Sequence, residues 1–119
     1  MPVARTLEFY RDPRGQCPME MFLDGLSSKD TKKVAWVLRL IGEFDRVPAQ
    51  YFKKLIGTDG IWECMISSGF NVYRVFAFFF SGERVMLTHG YAKKSMKTDR
   101  HEIESAERMR REYLSRGIS

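Results

Sequence analysis

The sequence has only two cysteines, Cys17 and Cys64. They form no Cys-x-x-Cys pair and lie far from either histidine, so neither a zinc site nor a disulfide scaffold is expected. Cys64 falls in an apolar stretch and reads as a small buried hydrophobe. No long hydrophobic run exists. The longest compact one, Val75-Phe76-Ala77-Phe78-Phe79-Phe80, is too short to span a bilayer, and no charged head followed by an apolar core opens the chain. A cytoplasmic protein with reduced thiols, no membrane association and no metal or other cofactor is the expectation. Repeats, low-complexity tracts and linker-like stretches are all missing. So are a phosphate-cradling glycine loop and a nucleophilic Ser or Cys with an evident base.

What is present suits one small globular domain over residues 1–119. Hydrophobic residues make up 44% and charged residues 29%, which excludes a disordered chain. The length excludes a two-domain dinucleotide enzyme but is enough for a single core. Twenty Lys and Arg against fifteen Asp and Glu give a net charge of +5. That excess favours a polyanionic partner weakly, since a few net charges also serve solubility.

Residues 4–11 are apolar and aromatic enough for a first strand, ended by the turn Asp12-Pro13-Arg14-Gly15. Pro18 suits the first turn of a short helix, which Gly25 and Ser27-Ser28 close. From Lys29 to about Arg46, Val34, Val37, Leu38, Ile41 and Phe44 recur at helical spacing. Trp36 and Leu40 widen that stripe, predicting a well-covered helix. Residues 49–55 read as a loop or a single helical turn. Three strands follow at 61–68, 71–80 and 84–91, joined by short turns, as an antiparallel meander. A last helix runs from about Asp99 to Arg116, capped by Asp99 or Thr98, with Ile103, Ala106, Met109 and Tyr113 inward. The expected class is α+β, an antiparallel sheet packed by helices, in the order β-α-α-β-β-β-α.

Arg74 is the most informative residue. Alternation places it among Val72, Phe76 and Phe78 on one face of the middle strand, where an unpaired guanidinium is costly. The hairpin around Gly69 is expected to put Glu63 nearly opposite. Two roles fit equally: half of a cross-strand ion pair, or a phosphate clamp. Lys93 and Lys94, followed by Lys97, stand between a strand and a helix cap, where cations can grip a phosphate. Lys53 and Lys54 enter the first meander strand. Each lysine pair, taken alone, reads first as a solvated charge run. Tyr91 can stack on a base or simply edge the sheet. His89 shares its face and reads as a hydrogen-bonded core histidine more readily than as an acid or base.

Two stretches, Tyr51 to Phe80 and His89 to Leu114, resemble the phage-derived Gp49-like branch of the RelE/HigB toxins. The combination of Lys53-Lys54-Leu55, Asp59-Gly60, Trp62-Glu63, Tyr73-Arg74-Val75-Phe76, His89-Gly90 and Lys93-Lys94, in this order, carries the resemblance; the N-terminal part fits more loosely. The resemblance implies a RelE-like small RNase fold and the toxin half of a type II toxin–antitoxin module. It also implies metal-independent cleavage of mRNA on the ribosome by 2′-hydroxyl attack, and inhibition by a cognate antitoxin, a small helix-turn-helix protein. By position Arg74, Lys93, Lys94, Lys54 and Tyr91 match the family's site residues, with Glu63 as the other candidate base and Lys53, Lys97 and His89 as RNA contacts. Met65 departs from the pattern, standing where the family often has Arg, and Asp99 replaces a usual helix-opening proline. The rival expectation is a phage-derived module that binds antitoxin or RNA without cutting. A DNA-binding domain fits poorly, because the last helix has mixed charge and no helix-turn-helix spacing.

Overall fold

The computed structural model describes residues 4–94 and 99–117. The chain runs β1 (Thr6–Phe9), α1 (Pro18–Asp24), α2 (Ser28–Glu43), β2 (Phe52–Lys54), β3 (Trp62–Ser68), β4 (Asn71–Ser81), β5 (Arg84–Ala92) and α3 (Arg100–Ser115). The class is α+β, as the sequence predicts. Two features of the sheet differ from expectation. A short strand, β2, occupies the segment read as loop or helical turn, so the order is β-α-α-β-β-β-β-α. The sheet is also mixed rather than wholly antiparallel: its order is β1-β5-β4-β3-β2, with β1 parallel to β5.

Local chemistry accounts for the ends of the elements. Pro18 opens α1, where its missing N–H costs nothing. Ser27 caps α2 by accepting from the Asp30 N–H, and Asp99 caps α3 by accepting from the His101 N–H. The extended conformation of Phe44 ends α2 at Glu43, three residues before the predicted boundary, leaving Phe44 half exposed outside the apolar stripe.

The two faces of the sheet are covered by different helices. On one face α1 and α2 bury Met19, Val34, Val37 and Ile41 against Cys64, Ile66, Val75, Ala77 and Leu87. On the other, α3 sets Ala106 and Tyr113 against Ile61, Phe76, Phe78 and Met86. Burial on both sides explains why the second half of β4 is continuously apolar. Gly90 lets α1 pack tightly on β5: a Cβ there would lie 2.5 Å from the Phe22 ring. A buried polar cluster ties α2 to the β3–β4 hairpin, where Ser68, Asn71 and Tyr73 all donate to the Asp30 carboxylate. Those donors hold the Asp30 carboxyl below the usual range, and the bond to that carboxylate, with burial, pushes the Tyr73 hydroxyl up.

Trp36 corrects the expectation that it widens the covered stripe of α2. It is 45% exposed, and Lys33 places its ammonium 4.5 Å from the ring centroid.

Candidate active site

Most of the candidate residues lie on the α3 side of β2–β5. The β3–β4 turn has only Gly69 and Phe70 between Ser68 and Asn71, which fixes the register: Met65 lies opposite Arg74, and Glu63 opposite Phe76. The predicted Glu63–Arg74 partnership forms diagonally instead of face to face. Arg74 Nε lies 3.0 Å from Glu63 Oε2, with the two residues only 4% and 2% exposed. The Nε–H does not point along that contact, so it is a charge contact rather than an aligned hydrogen bond. Arg74 Nη1 donates to the Tyr91 hydroxyl at 3.5 Å, a long bond between directly opposed residues of β4 and β5.

A bulge in β5 makes this arrangement possible. Val75 pairs with Gly90 and Ala77 with Leu87, so Thr88 and His89 together oppose Phe76. Leu87 faces α1 and α2. Strict alternation from Leu87 would send His89 and Tyr91 to that side as well. The extra residue reverses the phase and turns both rings toward α3 and Arg74. Phe76 then packs against both, with ring centroids 5.7 Å from His89 and 5.8 Å from Tyr91.

His89 is held at both nitrogens. Nε2 lies 3.1 Å from Glu102 Oε1, and Nδ1 lies 3.2 Å from Thr88 Oγ1. An ionised carboxylate can only accept, so Nε2 carries a proton, while the Thr88 hydroxyl beside Nδ1 donates to the Phe76 carbonyl at 3.2 Å. Burial lowers the His89 pKa, and Glu102 opposes that shift only partly. A ring so engaged orients its neighbours rather than offering a free nitrogen. Burial likewise raises the Tyr91 hydroxyl, against the pull of the Arg74 charge.

The lysines divide between the two faces. Lys53 pairs with Glu63 and shares the Arg74 face, exposed. Lys54 pairs with Trp62, which packs into the α1/α2 core, so alternation sends Lys54 to the opposite face. The Lys93 N–H donates to the Val72 carbonyl at 2.7 Å and extends the β4–β5 ladder one residue beyond β5. That register sets Lys93 beside Tyr91 on the Arg74 face, with exposed Lys94 following. Lys97 lies outside the described residues. The structure therefore brings together Glu63, Arg74, Tyr91, His89, Lys53 and Lys93, with Lys94 adjoining, and sets Lys54 apart.

Sequence reasoning missed Glu102 and Thr88. Glu102 sits in the first turn of α3, where an acid reads as a capping residue, and Thr88 has no signal apart from the bulge. Chemically, the face offers a guanidinium in a fixed orientation, neutralised on one side by Glu63 and bordered by exposed ammonium groups. Such a surface can meet an anion whose charge grows during reaction. Among the described residues no cluster of three or more His, Cys, Asp or Glu is placed to hold a metal, and no helix is long and apolar enough to cross a membrane.

The sequence profile of a family described as "Phage derived protein Gp49-like (DUF891)" matches residues 21–111. That span includes every candidate residue named above. A comparison with curated proteins finds no match.

Proposed function

The chain belongs to the phage-derived Gp49-like family, and from that premise we propose that it is the toxin of a toxin–antitoxin module, a RelE/HigB-type endoribonuclease that cleaves mRNA on the ribosome in the cytoplasm. The observation that carries the reading is the gathering of Arg74, Tyr91, Lys53 and Lys93 on one sheet face, with Glu63 orienting the arginine. The residues 1–119 act as one toxin domain with a RelE-like fold. Its partners are translating mRNA and a cognate antitoxin, a small helix-turn-helix protein.

In this mechanism the ribose 2′-hydroxyl attacks the adjacent phosphorus. Its proton passes to water as the bond forms, and the 5′-oxygen takes one from water as it leaves. The products are a 2′,3′-cyclic phosphate and a 5′-hydroxyl. Charge on the phosphorane exceeds that of the ground state, so cations fixed at its oxygens bind it more tightly. Arg74 and Lys93, with Lys94, supply those cations, and Tyr91 stacks on a base. Glu63 is buried against Arg74, so it serves as an orienting counter-ion rather than a proton acceptor. The cations of the face stabilise charge without strong acid–base groups, which is why alignment of substrate by the ribosome matters.

A second reading, a module that binds without cutting, draws on two observations. Arg74 is almost wholly buried and already ion-paired, and Met65 faces it where a second cation would stand. Expression in growing cells with mapping of RNA ends separates the two. Codon-phased, translation-dependent cuts bearing 5′-hydroxyl ends, lost in Arg74→Ala, are expected. Intact transcripts beside retained RNA binding would establish the second reading. Met65→Arg raises the cutting rate if the missing cation limits it, and unchanged cutting would show that it does not.

A further inference from the structure

We propose that the exposed side of α2 is a second RNA-binding surface, on the opposite side of the sheet from Arg74, which grips single-stranded RNA through Lys29, Lys32 and Lys33 and stacks a base on Trp36. The three lysines and Trp36 rim one shallow depression together with Ser28 and Ser68. The only acid between Ser28 and Arg39 is Asp30, whose carboxylate is turned inward and consumed by Ser68, Asn71 and Tyr73. None of the three lysines forms an ion pair among the described residues. The patch therefore presents three ammonium groups outward, with the Asp30 carboxylate buried beneath them and only Lys29 close enough to feel its charge.

The aromatic component favours RNA over an acidic protein. Trp36 is 45% exposed, held edge-on by Tyr51 at a centroid distance of 6.0 Å, with the Lys33 ammonium 4.5 Å from its own ring centroid. A large flat ring kept at the surface beside ammonium groups suits a base and its phosphate. At the adjoining hairpin tip Phe70 is fully exposed, next to Gly69, and a Cβ on that glycine would lie 3.6 Å from Lys29 Nζ. The packing of α2 on the β3–β5 core sets this surface away from the Arg74 face. One nucleotide cannot occupy both. The choice of RNA as occupant rests partly on the ribonuclease reading; the surface does not.

The test uses the full chain and a fluorescein-labelled single-stranded 2′-O-methyl RNA, which lacks the attacking hydroxyl and stays intact. Binding is read by anisotropy across a salt series. Replacing Lys29, Lys32 and Lys33 together by Gln is expected to lower the salt slope by about 2, at roughly 0.7 for each phosphate no longer neutralised. It should weaken binding at low salt by about tenfold or more. Trp36→Ala is expected to cost about tenfold, and Trp36→Phe, which keeps a ring, to restore most of it. All four positions lie on the outer side of a helix, and circular dichroism confirms that the variants fold. Wild-type affinity and slope in the lysine variant would overturn the proposal. So would a Glu-rich peptide that binds more tightly than the RNA with the same lysine dependence, since that would assign the surface to an acidic protein. Lysine-dependent binding in a chain that leaves cellular transcripts uncut would uphold this surface while removing the ribonuclease reading.

Discussion

Replacing Glu63 and Arg74 by Met, singly and together, separates a structural pair from a functional one. Both side chains are nearly inaccessible and lie 3.0 Å apart across β3 and β4. Glu63→Met leaves a guanidinium that cannot lose its proton, with a 3.5 Å bond to Tyr91 in place of a carboxylate. Arg74→Met leaves a buried carboxylate with no counter-ion. Breaking a buried pair from one side typically costs about 3–5 kcal/mol. The misaligned Nε–H points to the lower end of that range. Each single variant should therefore lose about 3 kcal/mol, while the double variant, which buries two apolar chains of similar length, should lie within about 1 kcal/mol of wild type. The implied coupling is about 6 kcal/mol, read from urea melts followed by circular dichroism. Additive losses in the double variant would refute the claim that the two charges support each other.

The same double variant then decides the role of Arg74. With its urea midpoint near that of wild type, as expected above, loss of mRNA cleavage and of growth arrest in this variant cannot be ascribed to unfolding. A fall of about 100-fold or more in cleavage is the expected result, in line with removal of one preorganised charge donor. Cleavage at the wild-type rate would show that the guanidinium only balances Glu63.

Gly90→Ala should destabilise the protein by about 1–3 kcal/mol through its clash with the Phe22 ring, and Phe22→Leu in the same chain should recover part of that in a urea melt. His89→Gln should flatten the dependence of stability on pH below the free imidazole value near 6.5. Burial lowers the folded-state pKa below the free value near 6.5, so the His89 contribution is complete above that value and is lost as pH falls through the folded pKa; an unchanged profile would mean that His89 does not titrate there. Asp30→Asn should lower the urea midpoint at pH 7. The difference should narrow below about pH 4, because a carboxylate held below its usual range contributes above its unfolded pKa and loses that contribution as acid protonates it in the folded state.

The parts legible in the sequence were those governed by local period and by caps. The stripe Val34, Val37, Ile41 and the inward face Ile103, Ala106, Met109, Tyr113 lie where helical spacing puts them. The meander strands agree with expectation to within one residue at each end. Strand β2 was hidden because three residues carry no alternation; only pairing of Phe52 with Cys64 makes Phe52-Lys53-Lys54 a strand. Trp36 misled because hydrophobicity assigned it to the core. Its position, one residue before Val37, places it at the edge of the buried stripe, where a ring can be exposed.

The candidate site depends on a feature that no periodicity encodes. Alternation alone groups Arg74 with Phe76, and His89 with Tyr91, but it leaves open which side of β5 faces Arg74. From Leu87, which is fixed in the α1/α2 core, a regular strand would turn His89 and Tyr91 away from the arginine. The single extra residue at Thr88-His89 reverses that outcome. It also partitions the face. Below the bulge Phe76 and Phe78 are closed over by α3, and His89 is engaged by Glu102 in the first turn of that helix. Above it stand Tyr91 and Lys93. Deleting one residue of the bulge would therefore do more than shorten a strand: it would transfer the aromatic ring and the lysine to the far side of the sheet, and the Arg74 face would retain its charge pair without the groups that border it.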